Sequence, residues 1–327
     1  MMSKPWKPSL ELLGRYYREV FQPDQLVSLV GLADFRQREF GFLLADNVFI
    51  RNISFKTPSA IKEFMSTRVP LQAHVGGVYD KPPSKENPIS QTGWKYRELV
   101  FDIDLNEYDA VRICGCRGSE TYCDECWSLI NDAMLFLDDT FRMDFGFKQL
   151  IWLFSGRRGV HLWIGDDEAK FLNQEVRAAI INYLTMIRGD EYPFNVEQLP
   201  YYGKLLGARI IEFIATPYIR HASLEELQAQ GFRKNEAQAL KESIVNKRIR
   251  RESFAQTLPT DVEPGKLLHQ AIRMRYPRID RSVTLDTRHL LRMVGSIHDN
   301  TGKMCCIIKD IANFTPDMAP TIWNLLQ

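Results

Sequence analysis

Arg97-Glu98-Leu99-Val100-Phe101-Asp102-Ile103-Asp104-Leu105, residues 97–105, is the stretch on which the reading of this chain turns. Leu99, Val100, Phe101, Ile103 and Leu105 form a short apolar run of the kind that makes a strand in a buried sheet. Side chains two apart on a strand share a face, so Asp102 and Asp104 project together from an apolar element. Two carboxylates on one buried face repel each other and cost desolvation. A bound divalent cation removes that cost, and a solvated strand end avoids it. Asp-x-Asp alone is common and does not choose between the two.

Upstream of this strand, residues 9–30 read as a helix, with Leu10, Leu13, Tyr16, Tyr17 and Val20 at helical spacing. Residues 38–44 and 47–55 read as a strand hairpin with Asp46-Asn47 in the turn. A short helix follows over 59–67 with Ser59 as its N-cap, then a strand over 74–79 and a polar loop over 81–92. Downstream, Trp127, Ile130, Met134, Leu137 and Phe141 mark a helix with one buried stripe. Residues 148–154 and 160–165 are apolar strands, and 167–188 is an amphipathic helix stopped at Gly189. Strands alternating with helices around a central sheet predict an α/β fold.

Residues 190–272 differ in character. Residues 190–207 read as irregular and 225–251 as polar and helical. Between 233 and 251 seven Lys/Arg stand against two Glu, which reads as a solvated face before it reads as a binding patch. From Ile279 onward short apolar strand-like pieces return, as expected of a chain re-entering its first sheet. The 327 residues are 45% hydrophobic and 25% charged, enough for one large core or two domains. A formal charge of +1 excludes an overall basic field that would advertise nucleic acid or an anionic membrane. Met1 to Pro8 has no apolar signal core and no apolar stretch approaches membrane-spanning length, so the expectation is a soluble, intracellular protein without a membrane partner.

Four of the six cysteines fall between residues 114 and 126. In an intracellular chain such clustering suggests a metal before disulfides. Cys114-x-Cys116 and Cys123-x-x-Cys126 offer four thiolates suited to tetrahedral zinc, the alternative being free thiols. Cys305 and Cys306 lie in an apolar run and read as core.

Two further segments carry chemistry. Phe154-Ser155-Gly156-Arg157-Arg158-Gly159-Val160-His161 joins two strands through a turn containing two glycines. Ser155, Arg157, Arg158 and His161 are donors at one end of the sheet, and arginine suits phosphate through its planar fork. Tyr276-Pro277-Arg278-Ile279-Asp280 supplies a third carboxylate. It is followed by His289-Leu290-Leu291-Arg292 and by Ser296-Ile297-His298 through Thr301-Gly302-Lys303. Carboxylates, a divalent metal and a triphosphate form one chemical set.

Together these segments resemble the catalytic (small) subunits of archaeal and eukaryotic DNA primases, with the pattern closer to the eukaryotic one. The likeness rests on Val100 to Asp104, on 154–161, on 276–280, and on 289–292 with 296–302. Arg38-Glu39-Phe40, Phe49-Ile50-Arg51 and Asp144 to Lys148 support it. It runs from residue 10 to 322 apart from 190–272. The resemblance implies the prim fold of that family: a central mixed sheet flanked by helices, in a catalytic domain of residues 1–189 and 273–327. It also implies a zinc-binding insertion over 112–127 and a helical subdomain over 190–272.

By the same resemblance Asp102, Asp104 and Asp280 are catalytic and bind two divalent cations, Mg²⁺ or Mn²⁺. Ser155, Arg157, Arg158, His161, Arg292 and His298, with Arg51, hold the nucleotide, and Cys114, Cys116, Cys123 and Cys126 hold a structural zinc. The implied activity is a DNA-directed RNA polymerase that makes short RNA primers from ribonucleoside triphosphates on single-stranded DNA by two-metal nucleotidyl transfer. The implied partners are a large primase subunit with an iron–sulfur domain and, in eukaryotes, the DNA polymerase alpha complex. The implied compartment is the nucleus in a eukaryote and the cytoplasm in an archaeon. Two departures stand out: Arg292 replaces the lysine usual in eukaryotes, and His74 stands where animal relatives are expected to have Asp. The competing readings are a repair or translesion primase-polymerase that extends deoxynucleotides and a noncatalytic scaffold of the same fold.

Overall fold

The computed structural model describes residues 7–119, 121–184, 209–244 and 264–327, and its strands sort into two sheets. The first contains β1 (Arg38–Leu43), β2 (Phe49–Ile53), β3 (Gln72–Tyr79) and β4 (Trp94–Tyr96). The second contains β5 (Leu99–Asp104), β6 (Leu150–Phe154) and β7 (Gly159–Ile164). The C-terminal part returns to both: β8 (Leu291–Arg292) pairs with β3, and β9 (Cys306–Ile308) pairs with β6. The order is β2-β1-β3-β4 in the first sheet and β5-β7-β6-β9 in the second. Every strand pairing among the described residues is antiparallel, so the expected mixed central sheet is replaced there by two antiparallel sheets within an α/β chain. Apolar alternation fixes which face of a strand is buried, but not which neighbour the strand takes.

The alternation itself holds in three dimensions. Leu99, Phe101 and Ile103 of β5, Trp152 and Phe154 of β6, and Val160, Leu162 and Ile164 of β7 enter one core with the helical stripe of Trp127, Ile130, Met134, Leu137 and Phe141. Val100, Leu153 and Trp163 point the other way, into a second core shared with Phe40, Phe42 and Val75 of the first sheet. The second sheet is therefore a wall between two cores. Its face toward the first sheet carries Asp102, Asp104 and His161.

The helices depart from expectation at identifiable residues. The helix expected over 9–30 is two helices, α1 (Leu10–Glu19) and α2 (Asp24–Val30), because Pro23 has no N–H to donate and disfavours helix before it. The next helix, α3 (Pro58–Arg68), is capped by Thr57 rather than Ser59: Thr57 Oγ1 accepts from Ala60 N, and Pro58 takes the first helical position, where its missing donor costs nothing. Helix α4 (Asp124–Asp144) forms as expected. The helix expected over 167–188 is broken into α5 (Asp167–Lys170) and α6 (Gln174–Leu184), with Asn173 Oδ1 accepting from Val176 N at the restart. Its last four expected residues lie outside the described ones.

The expected irregular stretch over 190–207 lies outside the described residues, as do 245–251. Around them stand α7 (Thr216–His221), preceded by a wide turn over Ile211–Ala215, then α8 (Leu224–Ala229), α9 (Lys234–Ile244) and α10 (Pro264–Arg275). Gly231, at φ +104°, separates α8 from α9. Ile210, Ile214, Ile219, Leu268 and Ile272 pack into the same core as Leu129 and Phe136 of α4. Cys305 and Cys306 are buried, as the sequence predicts. Among the described residues no helix is long and apolar enough to cross a membrane.

Candidate active site

Strands β5 and β7 pair Asp102 with His161 and Asp104 with Gly159. His161 Nε2 lies 3.6 Å from Asp102 Oδ1. Asp280 lies 176 residues beyond Asp104 in sequence, yet its backbone N–H donates to Asp102 O at 3.0 Å. The short helix that follows, α11 (Arg281–Leu285), lies along β5, and Thr284 Oγ1 donates to Val100 O at 2.8 Å. The three expected carboxylates thus come from β5 and from the residue that caps α11.

Each carboxylate has its own surroundings. Asp102 is pushed from 3.8 up to about 7, by burial first and then by Asp104, Asp280 and Glu107. Asp104 Oδ1 accepts from Asn106 N at 3.0 Å and from Arg158 Nε at 2.7 Å. Asp280 Oδ1 accepts from Ser282 N at 2.8 Å and from Ser282 Oγ at 2.7 Å. Like charges repel, and Asp104 and Asp280 are each turned to a donor of their own.

The donors gather on the turn between β6 and β7 and on the hairpin after β8. Ser155 N donates to Gly159 O at 3.0 Å, and Ser155 Oγ accepts from Gly159 N at 3.3 Å, which leaves the hydroxyl proton to give away. Gly156, at φ +97°, lies so close to the hairpin that a Cβ there would meet His298 Cβ at 2.8 Å. Thr301 Oγ1 donates to Gly156 O at 2.6 Å, and His298 N donates to Lys303 O at 2.8 Å.

His298 Nδ1 accepts from Asn300 N, so a neutral ring carries its proton on Nε2. Its pKa is pushed down to about 3, by burial first and then by Arg292 and Arg157. His161 is likewise pushed down to about 3, by burial and then by Arg292, His289 and Arg97. Arg292 pairs with His74 across β8 and β3; its Nη2 stands 3.7 Å from Asp299 Oδ1, and its buried Nη1 has no hydrogen-bond partner. Burial lowers the Arg292 pKa.

Two expected nucleotide residues are placed otherwise. Arg51 is turned onto Glu39, with Nε to Oε1 at 2.9 Å and Nη2 to Oε2 at 3.0 Å, and it also donates to Arg288 O. Arg158 is turned onto Asp104 and donates from Nη1 to Ser119 O at 3.4 Å. Ser155, Arg157, His161, Arg292 and His298 stay together on one side, Arg157 being near enough for its charge to act on both Arg292 and His298.

The structure adds residues that were not singled out. Arg97 is fully buried beside His161 and His289; Nη1 donates to Asp286 O at 3.3 Å, while Nε and Nη2 have no hydrogen-bond partner. Next to it Glu98 takes the fork of Arg38 at 2.8 and 2.9 Å, both side chains buried. A pair of charges before an apolar run reads as a strand end, and nothing in the local pattern marks them as buried. His74, the departure noted in the sequence, is pushed down to about 3, by burial first and then by Arg292, His161 and His289.

Beside this site the sulfur atoms of Cys114, Cys116, Cys123 and Cys126 lie within 4.8 Å of one another. A tetrahedron of Zn–S bonds of about 2.3 Å sets its sulfurs about 3.8 Å apart, and the Cys123 and Cys126 sulfurs are 3.8 Å apart. Among the described residues this is the one group of three or more metal-binding side chains so closely converged. The three aspartates are more widely spread.

Comparison with known proteins points in one direction. The profile of the family described as DNA primase small subunit matches residues 101–310. The DNA primase small subunit of Drosophila melanogaster is 31% identical over 97% of this chain and 81% of the relative. That of Saccharomyces cerevisiae is 30% identical over 97% of this chain and 85% of the relative. The archaeal one of Methanothermobacter thermautotrophicus is 26% identical over 92% of each.

Proposed function

We propose, from the premise that this chain belongs to the DNA primase small subunit family, that it is the subunit that joins nucleotides into the primer. Membership implies primer synthesis in replication and a large subunit as partner. The finer reading is template-directed synthesis of short RNA from ribonucleoside triphosphates at the site built by β5, the β6–β7 turn and α11. The observation that supports it is the hydrogen bond from Asp280 N to Asp102 O, which brings the third aspartate next to β5, near enough for its charge to act on Asp102.

The residues suit divalent cations, because Asp102 is a part-buried carboxylate whose charge is opposed by Asp104, Asp280 and Glu107. Asp102, Asp104 and Asp280 would hold Mg²⁺ or Mn²⁺, which when bound acidifies the attacking 3′-hydroxyl and offsets charge on the pyrophosphate leaving group. The chain's own part is binding and orientation. Arg157 and Arg292 supply fixed positive charge to the triphosphate, and His298 Nε2 and the Ser155 hydroxyl supply neutral donors. Gly156 lets the turn backbone approach the phosphates. His161, neutral beside Asp102, donates or accepts without adding charge. In the in-line displacement the 3′-oxygen bonds to the α-phosphorus as the bond to the pyrophosphate oxygen breaks, and no protein nucleophile takes part.

The four cysteines suit a structural zinc with no position left for substrate. The same proposal takes residues 190–272 as a helical insertion whose described helices share the core under α4, and the rest as the catalytic part. It takes the large subunit as iron–sulfur-bearing and, in a eukaryote, the complex as nuclear and joined to DNA polymerase alpha. The test is primer synthesis without a supplied primer on single-stranded DNA, by this chain alone and with a large subunit, with ribo- and deoxyribonucleotides compared. Asp102→Ala and Asp104→Ala are expected to abolish synthesis in a folded protein. Near-normal synthesis by either sinks the assignment, and efficient extension with deoxynucleotides alone would favour a repair polymerase.

A further inference from the structure

Tyr122 immediately precedes Cys123, and its hydroxyl reaches the C-terminal part of the chain. Its hydroxyl donates to Asp317 Oδ1 at 2.7 Å and accepts from Lys303 Nζ at 2.6 Å. Lys303 Nζ also donates to Asp317 Oδ1 at 2.7 Å and to Pro316 O at 2.8 Å. The ammonium has three protons, and these three acceptors use them all. The Lys303 side chain is only 15% exposed, whereas Asp317 is 80% exposed. An ion pair with so exposed a carboxylate is worth little by itself. The Tyr122 hydroxyl and the Pro316 carbonyl are therefore what fixes the buried ammonium.

The backbone of Lys303 belongs to the donor hairpin. Its carbonyl accepts from His298 N at 2.8 Å, and it is also the atom that a Cβ on Gly156 would meet at 3.3 Å. Its N–H donates to Thr301 Oγ1, which donates in turn to Gly156 O. One side chain thus links the cysteine loop to the two elements that face the triphosphate. A second path runs beneath it. The Tyr122 ring lies 5.9 Å from Trp127, which lies 6.0 Å from Phe154, the residue before Ser155. Trp127 Nε1 donates to Phe314 O at 2.8 Å, two residues before Pro316.

We propose that Tyr122 and Lys303 are positioning residues for the incoming nucleotide, a strut that holds the hairpin of His298 in register with the cysteine loop. The proposal rests on the reading of the β6–β7 turn and His298 as the triphosphate side. Neither residue touches the nucleotide. Losing the Tyr122 hydroxyl leaves one proton of a largely buried ammonium unpaired and frees the hairpin to shift by a fraction of an ångström. Phosphate binding would lose donor geometry, while the carboxylates on β5 would keep theirs. The expected signature is weaker nucleotide binding with the chemical step preserved.

The experiment compares Tyr122→Phe, Lys303→Met, the double variant and His298→Ala in the full chain with its large subunit. KM and kcat are read against ribonucleotide concentration, nucleotide Kd by equilibrium binding, and zinc content by elemental analysis. Tyr122→Phe is expected to raise KM and Kd by about three- to tenfold, the range for one ordinary hydrogen bond, with kcat near normal and zinc retained. In the double variant the phenylalanine is expected to add nothing to the effect of Lys303→Met. An unchanged KM in Tyr122→Phe, additive effects, or a rise that comes only with zinc loss overturns the strut. If His298→Ala raises KM while Tyr122→Phe does not, the strut fails alone. If His298→Ala leaves KM unchanged, the triphosphate reading fails and takes the strut with it.

Discussion

Asp102→Asn is expected to make the metal-free protein more stable while it abolishes the chemistry. The folded chain moves the Asp102 carboxyl from 3.8 up to about 7. Between those values the folded state keeps a proton that the unfolded chain has released, so stability falls as pH rises through the window. At about 1.36 kcal/mol per pH unit the ceiling on this cost is about 4 kcal/mol. The side chain is 27% exposed, and screening by water brings the expectation to roughly 2 kcal/mol. Asparagine keeps the shape and removes the charge. Its advantage over the wild type should grow from near zero at about pH 4 to its full value at about pH 8, levelling off above the folded pKa.

His74, His161 and His298, each pushed down to about 3, work with the opposite sign. They are neutral in the folded state and lose stability as pH falls below 6.5 toward their folded values. Both proteins contain His74 and His298, which cancel in the difference; His161, 3.6 Å from Asp102, is coupled to it and drops out only above about pH 6.5, where it is neutral in both states. Urea denaturation of both proteins in a chelating buffer, repeated across this pH range, gives that difference directly. Added Mn²⁺ should stabilise the wild type and narrow the gap. A difference that does not vary with pH, or a variant less stable than wild type at the alkaline end, would refute the reasoning.

Gly156→Ala puts a Cβ at 2.8 Å from His298 Cβ and a side chain at φ +97°, and is expected to cost about 1–3 kcal/mol and to raise the nucleotide KM; thermal melts and a nucleotide titration check both. Glu98→Gln removes the carboxylate from the buried fork of Arg38, leaves that charge uncompensated, and is expected to cost about 3–5 kcal/mol in chemical denaturation. Cys126→Ser is expected to abolish zinc retention and lower Tm, seen by elemental analysis and calorimetry on the same sample.

The Asp-x-Asp strand and the donor turn were legible because their information is local. Period-2 alternation puts Asp102 and Asp104 on one face, and two glycines announce a tight turn. The place of Asp280 is a different matter: it depends on α11 lying along β5 through Thr284, and no local pattern states which strand a distant helix will meet. Arg51 and Arg158 show the same limit from the other side. Both have the chemistry for phosphate, but Glu39 and Asp104 are close enough to take their guanidinium groups. The helix breaks at Pro23, Asn173 and Gly231 were each written as cap or breaker residues; apolar periodicity masked the first two, and a continuous polar helical composition the third. Arg38, Arg97 and Glu98 were missed because charged residues beside a strand usually face water, whereas here they lie at the join of the two sheets.

The position of His161 explains why the site does not neutralise itself. It is paired with Asp102 across the β5–β7 ladder, 3.6 Å from that carboxylate and within the field of Arg292. A protonated imidazole there would satisfy Asp102 and crowd Arg292. Burial, and then the charges of Arg292 and Arg97, keep it neutral instead. Arg158 compensates Asp104 only, and Arg292 reaches no carboxylate closer than Asp299 at 3.7 Å. Asp102 is therefore left facing a neutral imidazole, and the nearest carboxylate to Arg292 is Asp299. A ligand that satisfies both must bring a cation to the aspartates and an anion to the arginines. A metal-bound nucleoside triphosphate has that polarity, whereas a free phosphate or a lone cation satisfies only half of the site.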